Sequence, residues 1–365
     1  LGGGEPAPVP RALGDAAEGD QVTYLLVGSR SGDASEQADW LTLMAIDRRG
    51  RQPLTLFIPA ATLTEIPGYG YDSLGKAMSL GRVPLQEITV ENLLGIQVDH
   101  TLMVPESLVS KLVDRAGGVE VNVEKSLLAP QGSDRLVPVF QAGRQRFDGQ
   151  KAVKFLGYVG PDEDELARFG RAQQLWEALF TRFPGKDAAD LGRIVTGFGS
   201  ALVTDAPPGD VGVFFSAFAG AGADARTYRT LPVDPIGSGG DEDAFRVRDA
   251  DLEVLVSGML AASRPADAPG RGSRVQVLNG NGEPEIGAQV ASVLVPDGFR
   301  ITLTGNAQRF DYPKTRIVFY RDADLGIAQR IRQRLGVGEI IKGRTQQSIV
   351  DITIVVGRDF LLRKQ

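Results

Sequence analysis

The chain has 365 residues, 42% of them apolar, which at the usual domain size is enough for two buried cores. Its 40 Lys+Arg against 46 Asp+Glu give a net charge of -6 with no block of five or more basic residues; this argues against a nucleic-acid binder, whose affinity comes from clustered cations meeting phosphates. There is no cysteine, which removes disulfides and Cys-ligated zinc.

Residues 1–19, opening Leu1-Gly-Gly-Gly-Glu-Pro, read as a flexible spacer of the kind left when a signal or anchor is trimmed. Strands are expected at Gln21–Val27, Trp40–Ile46 and Leu54–Ile58, each a run of mostly apolar residues. Pro59 cannot donate to a ladder and stops the third strand, placing Ala60 and Ala61 at a sheet rim, where α/β proteins tend to bind ligands. A turn at Pro67-Gly-Tyr-Gly70 leads to a helix over Leu85–Leu94, with Gly95 suited to its C-terminus. Next come a strand at Thr101–Val104, a helix at Glu106–Ala116 and a strand ending at Val123.

Leu166–Phe183 has apolar residues at three- and four-residue spacing, an amphipathic helix with Arg168 and Arg171 near its start. Such a stripe, Trp176 included, is more often plain core than a ligand groove. Surface pairing of the two arginines with the preceding Asp162, Glu163, Asp164 and Glu165 competes with anion binding. Helices are expected at Ala188–Val203, Val211–Ala219 and Asp249–Ala261, and the last closes a large domain over 20–262. The longest weakly polar stretch, Val211–Ala223, falls short of the roughly 20 residues of a membrane span. Gly237-Ser-Gly-Gly240 and Gly280-Asn-Gly282 lack phosphate-loop context and read as turns. His100, the one histidine, reads as a strand-boundary residue.

A Pro/Gly/Ser-rich linker, 263–273, precedes a small module over 274–361. There, strands at Val275–Leu278, Phe299–Thr304, Thr315–Tyr320 and Ile349–Val356 alternate with helices at Ile286–Leu294 and Leu325–Leu335. That is the β-α-β-β-α-β order of a split βαβ, ferredoxin-like α+β domain, to which a short strand at Ile340-Ile341 can be added.

Three runs carry a family likeness in the large domain: Phe57-Ile-Pro-Ala-Ala-Thr-Leu-Thr-Glu-Ile-Pro-Gly-Tyr-Gly70, Val98-Asp-His-Thr101, and Leu112-Val-Asp-Arg-Ala-Gly-Gly-Val-Glu-Val-Asn-Val123. With Arg168-Phe-Gly-Arg171 and Gln173-Gln174 they resemble the LytR-CpsA-Psr family. Val277-Leu-Asn-Gly280, Gly305-Asn-Ala307 and Gly357-Arg-Asp-Phe360 resemble the LytR C-terminal domain. The resemblance implies an α/β domain with a mixed sheet flanked by helices, an extracytoplasmic place in the bacterial envelope, and a membrane anchor ahead of Leu1. It also implies transfer of glycopolymers from a polyprenyl pyrophosphate carrier to the cell wall.

That chemistry needs fixed guanidiniums, a divalent metal on carboxylates and a base. Here the chain departs from the family. Gln37-Ala-Asp-Trp40 stands for Arg-Ser-Asp-Thr, keeping only Asp39 as a metal carboxylate; Ala60-Ala61 stands for Arg-Asp. Ser73-Leu-Gly75 stands for Lys-Ile-Asn, with Lys76 following, and Gly157-Tyr-Val159 stands for Arg-x-Arg. A charge-assisted hydrogen bond contributes roughly 1.5–3 kcal/mol, so these losses predict a non-catalytic protein that binds or scaffolds, with a polyprenyl-linked glycopolymer or an envelope protein as partner. One alternative is an active phosphotransferase with a cation set of Arg30, Lys76, Arg82, Arg168 and Arg171 and Asp39 on Mg²⁺. Another is a purely structural subunit whose apolar pocket is filled.

Overall fold

The computed structural model describes residues 21–30, 36–47, 52–130, 136–158, 160, 163, 165–236, 244–265, 270, 272–343 and 349–362. The expected spacer at 1–19, the Gly237–Gly240 turn, Val159 and the middle of the linker lie outside the described residues. Packing gathers Leu1–Ala61 with Asp99–Val247 into one unit, and Thr62–Val98 with Arg248–Gln365 into another. Residues 62–98 thus pack with the C-terminal residues rather than with the rest of 20–262.

In the first unit, β1 (Gln21–Ser29), β2 (Trp40–Asp47), β3 (Leu54–Ile58), β4 (His100–Pro105), β5 (Val203–Thr204) and β6 (Thr227–Thr230) form one mixed sheet in the order β5-β4-β1-β2-β3-β6. β1 runs parallel to β4 and antiparallel to β2, and β3 is antiparallel to β2. All but the first residue of β1 are buried, as expected of a central strand covered on both faces. The helices are α1 (Glu106–Arg115), α2 (Gly149–Leu156), α3 (Glu165–Thr181), α4 (Ala188–Thr196) and α5 (Pro208–Gly220).

Asp148 caps α2 by accepting the Lys151 N–H at 2.8 Å. α4 and α5 cross at glycines: a Cβ on Gly192 would stand 2.7 Å from the Gly212 carbonyl oxygen. The helix expected to run from 188 to 203 stops at Thr196. Gly197 follows, Gly199 takes φ +52, and Val203–Thr204 becomes an edge strand on β4. Glycine's low helix propensity and the β-branched pair that follows account for the change.

The second unit opens with a hairpin, Leu63–Ile66 against Gly70–Ser73, whose turn is closed by Tyr69 N–H donating to the Ile66 carbonyl at 2.9 Å. Lys76–Leu94 follows as helix, broken at Gly81-Arg82 just before Pro84, so the expected Leu85–Leu94 helix is its second segment and ends at Gly95 in the left-handed region. The C-terminal module holds β7 (Arg274–Asn279), α6 (Ile286–Leu294), β8 (Arg300–Asn306), β9 (Arg316–Phe319), α7 (Leu325–Leu335), β10 (Glu339–Lys342) and β11 (Ile352–Val356). The expected mixed sheet with helices is present, in the order β8-β7-β11-β9-β10. α6 and α7 each join strands that are parallel neighbours, β7 to β8 and β9 to β10, and β11 lies between the two pairs. The strand order thus differs from a split βαβ, in which another strand separates the two parallel ones: here β7 pairs directly with β8, and β9 with the added edge strand β10.

Asn92 explains why 62–98 belongs with this module. Its side-chain amide donates to the Ile301 carbonyl at 2.9 Å and its oxygen accepts the Ile301 N–H at 2.8 Å, satisfying edge strand β8. Ile66, Ala77, Leu85 and Ile88 join Val290, Leu294 and Ile354 in one core. Among the described residues no helix is long and apolar enough to cross a membrane.

Candidate functional site

A cavity of about 480 Å³ lies in the first unit between the sheet and its helices. Phe57 and Leu102 from the sheet, Leu112 of α1, Leu156 of α2, Phe169, Trp176 and Leu179 of α3 and Phe215 of α5 are among its lining residues. Trp40 also lines it, opposite Gly28 on β1, and any side chain at Gly28 would overlap the indole ring. The stripe on α3, expected as plain core, is divided: Phe180 is fully buried, whereas Phe169, Leu175, Trp176 and Leu179 border open space.

Besides Thr42 within β2, the polar lining comes from one end of the sheet: Ser29 closing β1 and Arg30 after it, Asp39 before β2, Glu106 after β4, and Glu165 and Arg168 at the start of α3. Glu165 decides the character of this mouth. Its carboxylate accepts the consecutive N–H groups of Ala60 at 2.7 Å and Ala61 at 3.2 Å, just beyond β3. Two adjacent backbone donors aimed at one point make an anion seat, and a carboxylate of the chain itself occupies it.

Of the candidate cations in the first unit, two line the cavity and one does not. Arg30 is at the mouth but largely exposed; its N–H donates to Asp39 at 2.9 Å and its guanidinium lies 3.9 Å from the same carboxylate. Arg168 lines the cavity. Arg171 does not: its guanidinium, 5% exposed, pairs with Glu163 at 2.9 Å and donates to the Tyr158 carbonyl at 2.5 Å. Burial opposes ionisation of Glu163, but the Gly160 N–H, Arg171 and Lys125 outweigh it and hold the carboxyl below its ordinary range. Lys76 belongs to the other unit and pairs with Asp72 at 2.8 Å. Arg82, exposed at φ +58 in the helix break, is in that unit too.

A hard divalent ion takes about six oxygens, and among the described residues no group of three or more His, Asp or Glu could hold a metal. His100 opens β4 with Nδ1 3.2 Å from Asp205, a boundary position as expected.

The LytR_cpsA_psr family model matches residues 7–249, about two thirds of the chain. The chain belongs to the LytR_cpsA_psr family. A second model, described as LytR cell envelope-related transcriptional attenuator, matches residues 272–360.

Named relatives in this family include the probable cell wall biosynthesis protein LcpB of Corynebacterium glutamicum, 28% identical over 145 residues, 40% of this chain and 34% of that protein. The polyisoprenyl-teichoic acid--peptidoglycan teichoic acid transferase TagT of Bacillus subtilis is 29% identical over 168 residues, 44% of this chain and 51% of TagT. The chain thus spans between a third and about half the length of these relatives. The solved structure of B. subtilis TagV shares the fold at a TM-score of 0.57 and 17% identity, covering 67% of this chain and 97% of TagV. So does the family protein YwtF (TagT) with bound octaprenyl pyrophosphate lipid, at 0.50 and 18%, covering 71% and 97%.

Glu165 and Glu106 escaped the sequence reading. Glu165 ends an acidic run that looks like a solvated helix start, and its burial to 9% exposure is visible only once α3 is set against the end of β3.

Proposed function

We propose that this family member works in cell-envelope glycopolymer assembly without catalysis, binding an apolar chain in its cavity or scaffolding a partner. The observation that carries this reading is the Glu165 carboxylate seated on the Ala60 and Ala61 N–H groups, where the family likeness expects an Arg-Asp pair. Beside it the described mouth offers two guanidiniums, Arg30 and Arg168, against the carboxylates of Asp39, Glu106 and Glu165. Stabilising a transferring diphosphate requires donors and cations fixed where negative charge builds, and this balance supplies none in excess.

The filled-pocket version of a purely structural subunit is disfavoured by the open apolar cavity. Of the five cations in the active alternative, Arg30 and Arg168 reach the cavity lining. The test is incubation with a polyprenyl pyrophosphate analogue and Mg²⁺ while released phosphate is measured. We expect release at the level of the protein-free blank; turnover that disappears in Arg168→Ala or Asp39→Ala would overturn the reading.

A further inference from the structure

We propose that the cavity selects an apolar chain bearing an uncharged, hydroxyl-rich head group, and that Glu165 sets this preference. The inference rests on the reading above that the cavity holds an apolar chain. Its walls suit a hydrocarbon, and its volume of about 480 Å³ lies within the usual range for small-molecule sites. The head of any such ligand must share the mouth with Asp39, Glu106 and Glu165.

For a phosphorylated head this mouth is hostile twice over. The backbone donors that would greet it are already held by Glu165 at 2.7 and 3.2 Å, and that carboxylate is tethered and buried, so it competes at high effective concentration. Displacing it would leave a buried carboxylate without its donors next to a new anion, and like charges in a partly desolvated site repel strongly. Arg30 offers little relief, because Asp39 already lies 3.9 Å from its guanidinium.

Hydroxyl groups face the opposite balance. Ionised carboxylates only accept hydrogen bonds, and a sugar or alcohol head brings donors to them at no cost in charge. Arg168 can donate to ring or hydroxyl oxygens at the same rim.

The test uses four soluble probes on the whole chain: farnesol, dodecyl glucoside, farnesyl phosphate and farnesyl diphosphate, each titrated against Trp40 and Trp176 fluorescence with native mass spectrometry for stoichiometry. Farnesol and the glucoside should bind at least tenfold more tightly than the diphosphate. Glu165→Ala frees the two N–H groups, so affinity for the diphosphate should rise at least tenfold and the farnesol-to-diphosphate affinity ratio should fall at least tenfold. If Glu165→Ala does not fold, Glu165→Gln keeps the side-chain volume and should shift the ratio in the same direction. A wild-type chain that binds farnesol but prefers the diphosphate overturns the head-group inference alone, as does a ratio unmoved by either variant. Binding of none of the four probes overturns the cavity reading and this inference together.

Discussion

The wall and the mouth of the cavity share helix α3, only a few residues apart, and are built on different terms. Phe169, Leu175, Trp176 and Leu179 border open apolar space, whereas Glu165 and Arg168 end that space in charge and Arg171 is buried against Glu163. An apolar wall asks only for shape and hydrophobicity, so many sequences can keep it. A charged mouth needs every group compensated: once Ala60 and Ala61 expose only backbone donors, a partner must be found for them, and Glu165 supplies it. Scaffold and chemistry can therefore separate within one site.

The sharpest break of this comparison is at Arg171. Arg171→Ala takes a buried guanidinium away from Glu163 and from the Tyr158 carbonyl, so it should cost roughly 1–3 kcal/mol in urea unfolding. Arg168→Ala, three residues away on the cavity side, should stay within about 0.5 kcal/mol. Equal costs would mean that the two arginines do not differ in role as their surroundings indicate. A smaller stability effect is expected from filling the wall. Leu112→Trp places added volume into existing space, so stability should shift by about 1 kcal/mol or less. Farnesol binding should nevertheless fall more than tenfold, measured by native mass spectrometry; undiminished binding would place the ligand elsewhere.

How much of this was legible in the sequence follows from the range of the interactions involved. β1, β2 and β3 read directly because each is a short apolar run with a clear stop, Pro59 above all. The helices α6 and α7 were expected at the residues where they occur. The membership of 62–98 was not legible, since it turns on Asn92 meeting Ile301, 209 residues on, and no local pattern encodes such a meeting. Val203 reads as the end of a helix because an apolar residue fits either state, and only its pairing with Met103 of β4 decides it. At the cavity, Asp39 and Arg168 are singled out by the family likeness and Arg30 as a cation of the active alternative, and all three are among its lining residues. Glu165 was not singled out, because its role is a contact with backbone, which leaves no trace in the identity of Ala60 or Ala61.

The smallest expected effect sets buried carboxylates of the two units against each other. In the first unit Glu163 is half-buried beside a cation; desolvation pushes its pKa up, but the Gly160 N–H, Arg171 and Lys125 outweigh that and leave it lowered. A carboxyl depressed in the folded state contributes stability above the ordinary carboxylate range, and that contribution is lost as pH falls through the lowered value. In the second unit Glu65 is 8% exposed, and its pKa is raised, chiefly by burial, with a hydrogen bond from Thr304 working the other way. Its contribution has the opposite sign, being fully present below the unfolded-state value and lost as pH rises through the raised one. Both tryptophans, Trp40 and Trp176, belong to the first unit, so their fluorescence reports its unfolding, and amide hydrogen exchange along Leu63–Ile66 and β8 reports the second. Between about pH 3 and 7, Glu163→Gln should flatten the acid limb of the first unit, an effect at most on the order of 1 kcal/mol because the pair is partly screened. Glu65→Gln should raise protection in the second unit near neutral pH and leave it little changed at acid pH. If both variants moved the two readouts in the same direction, the contrast between a cation-paired and an unpaired buried carboxylate would fail.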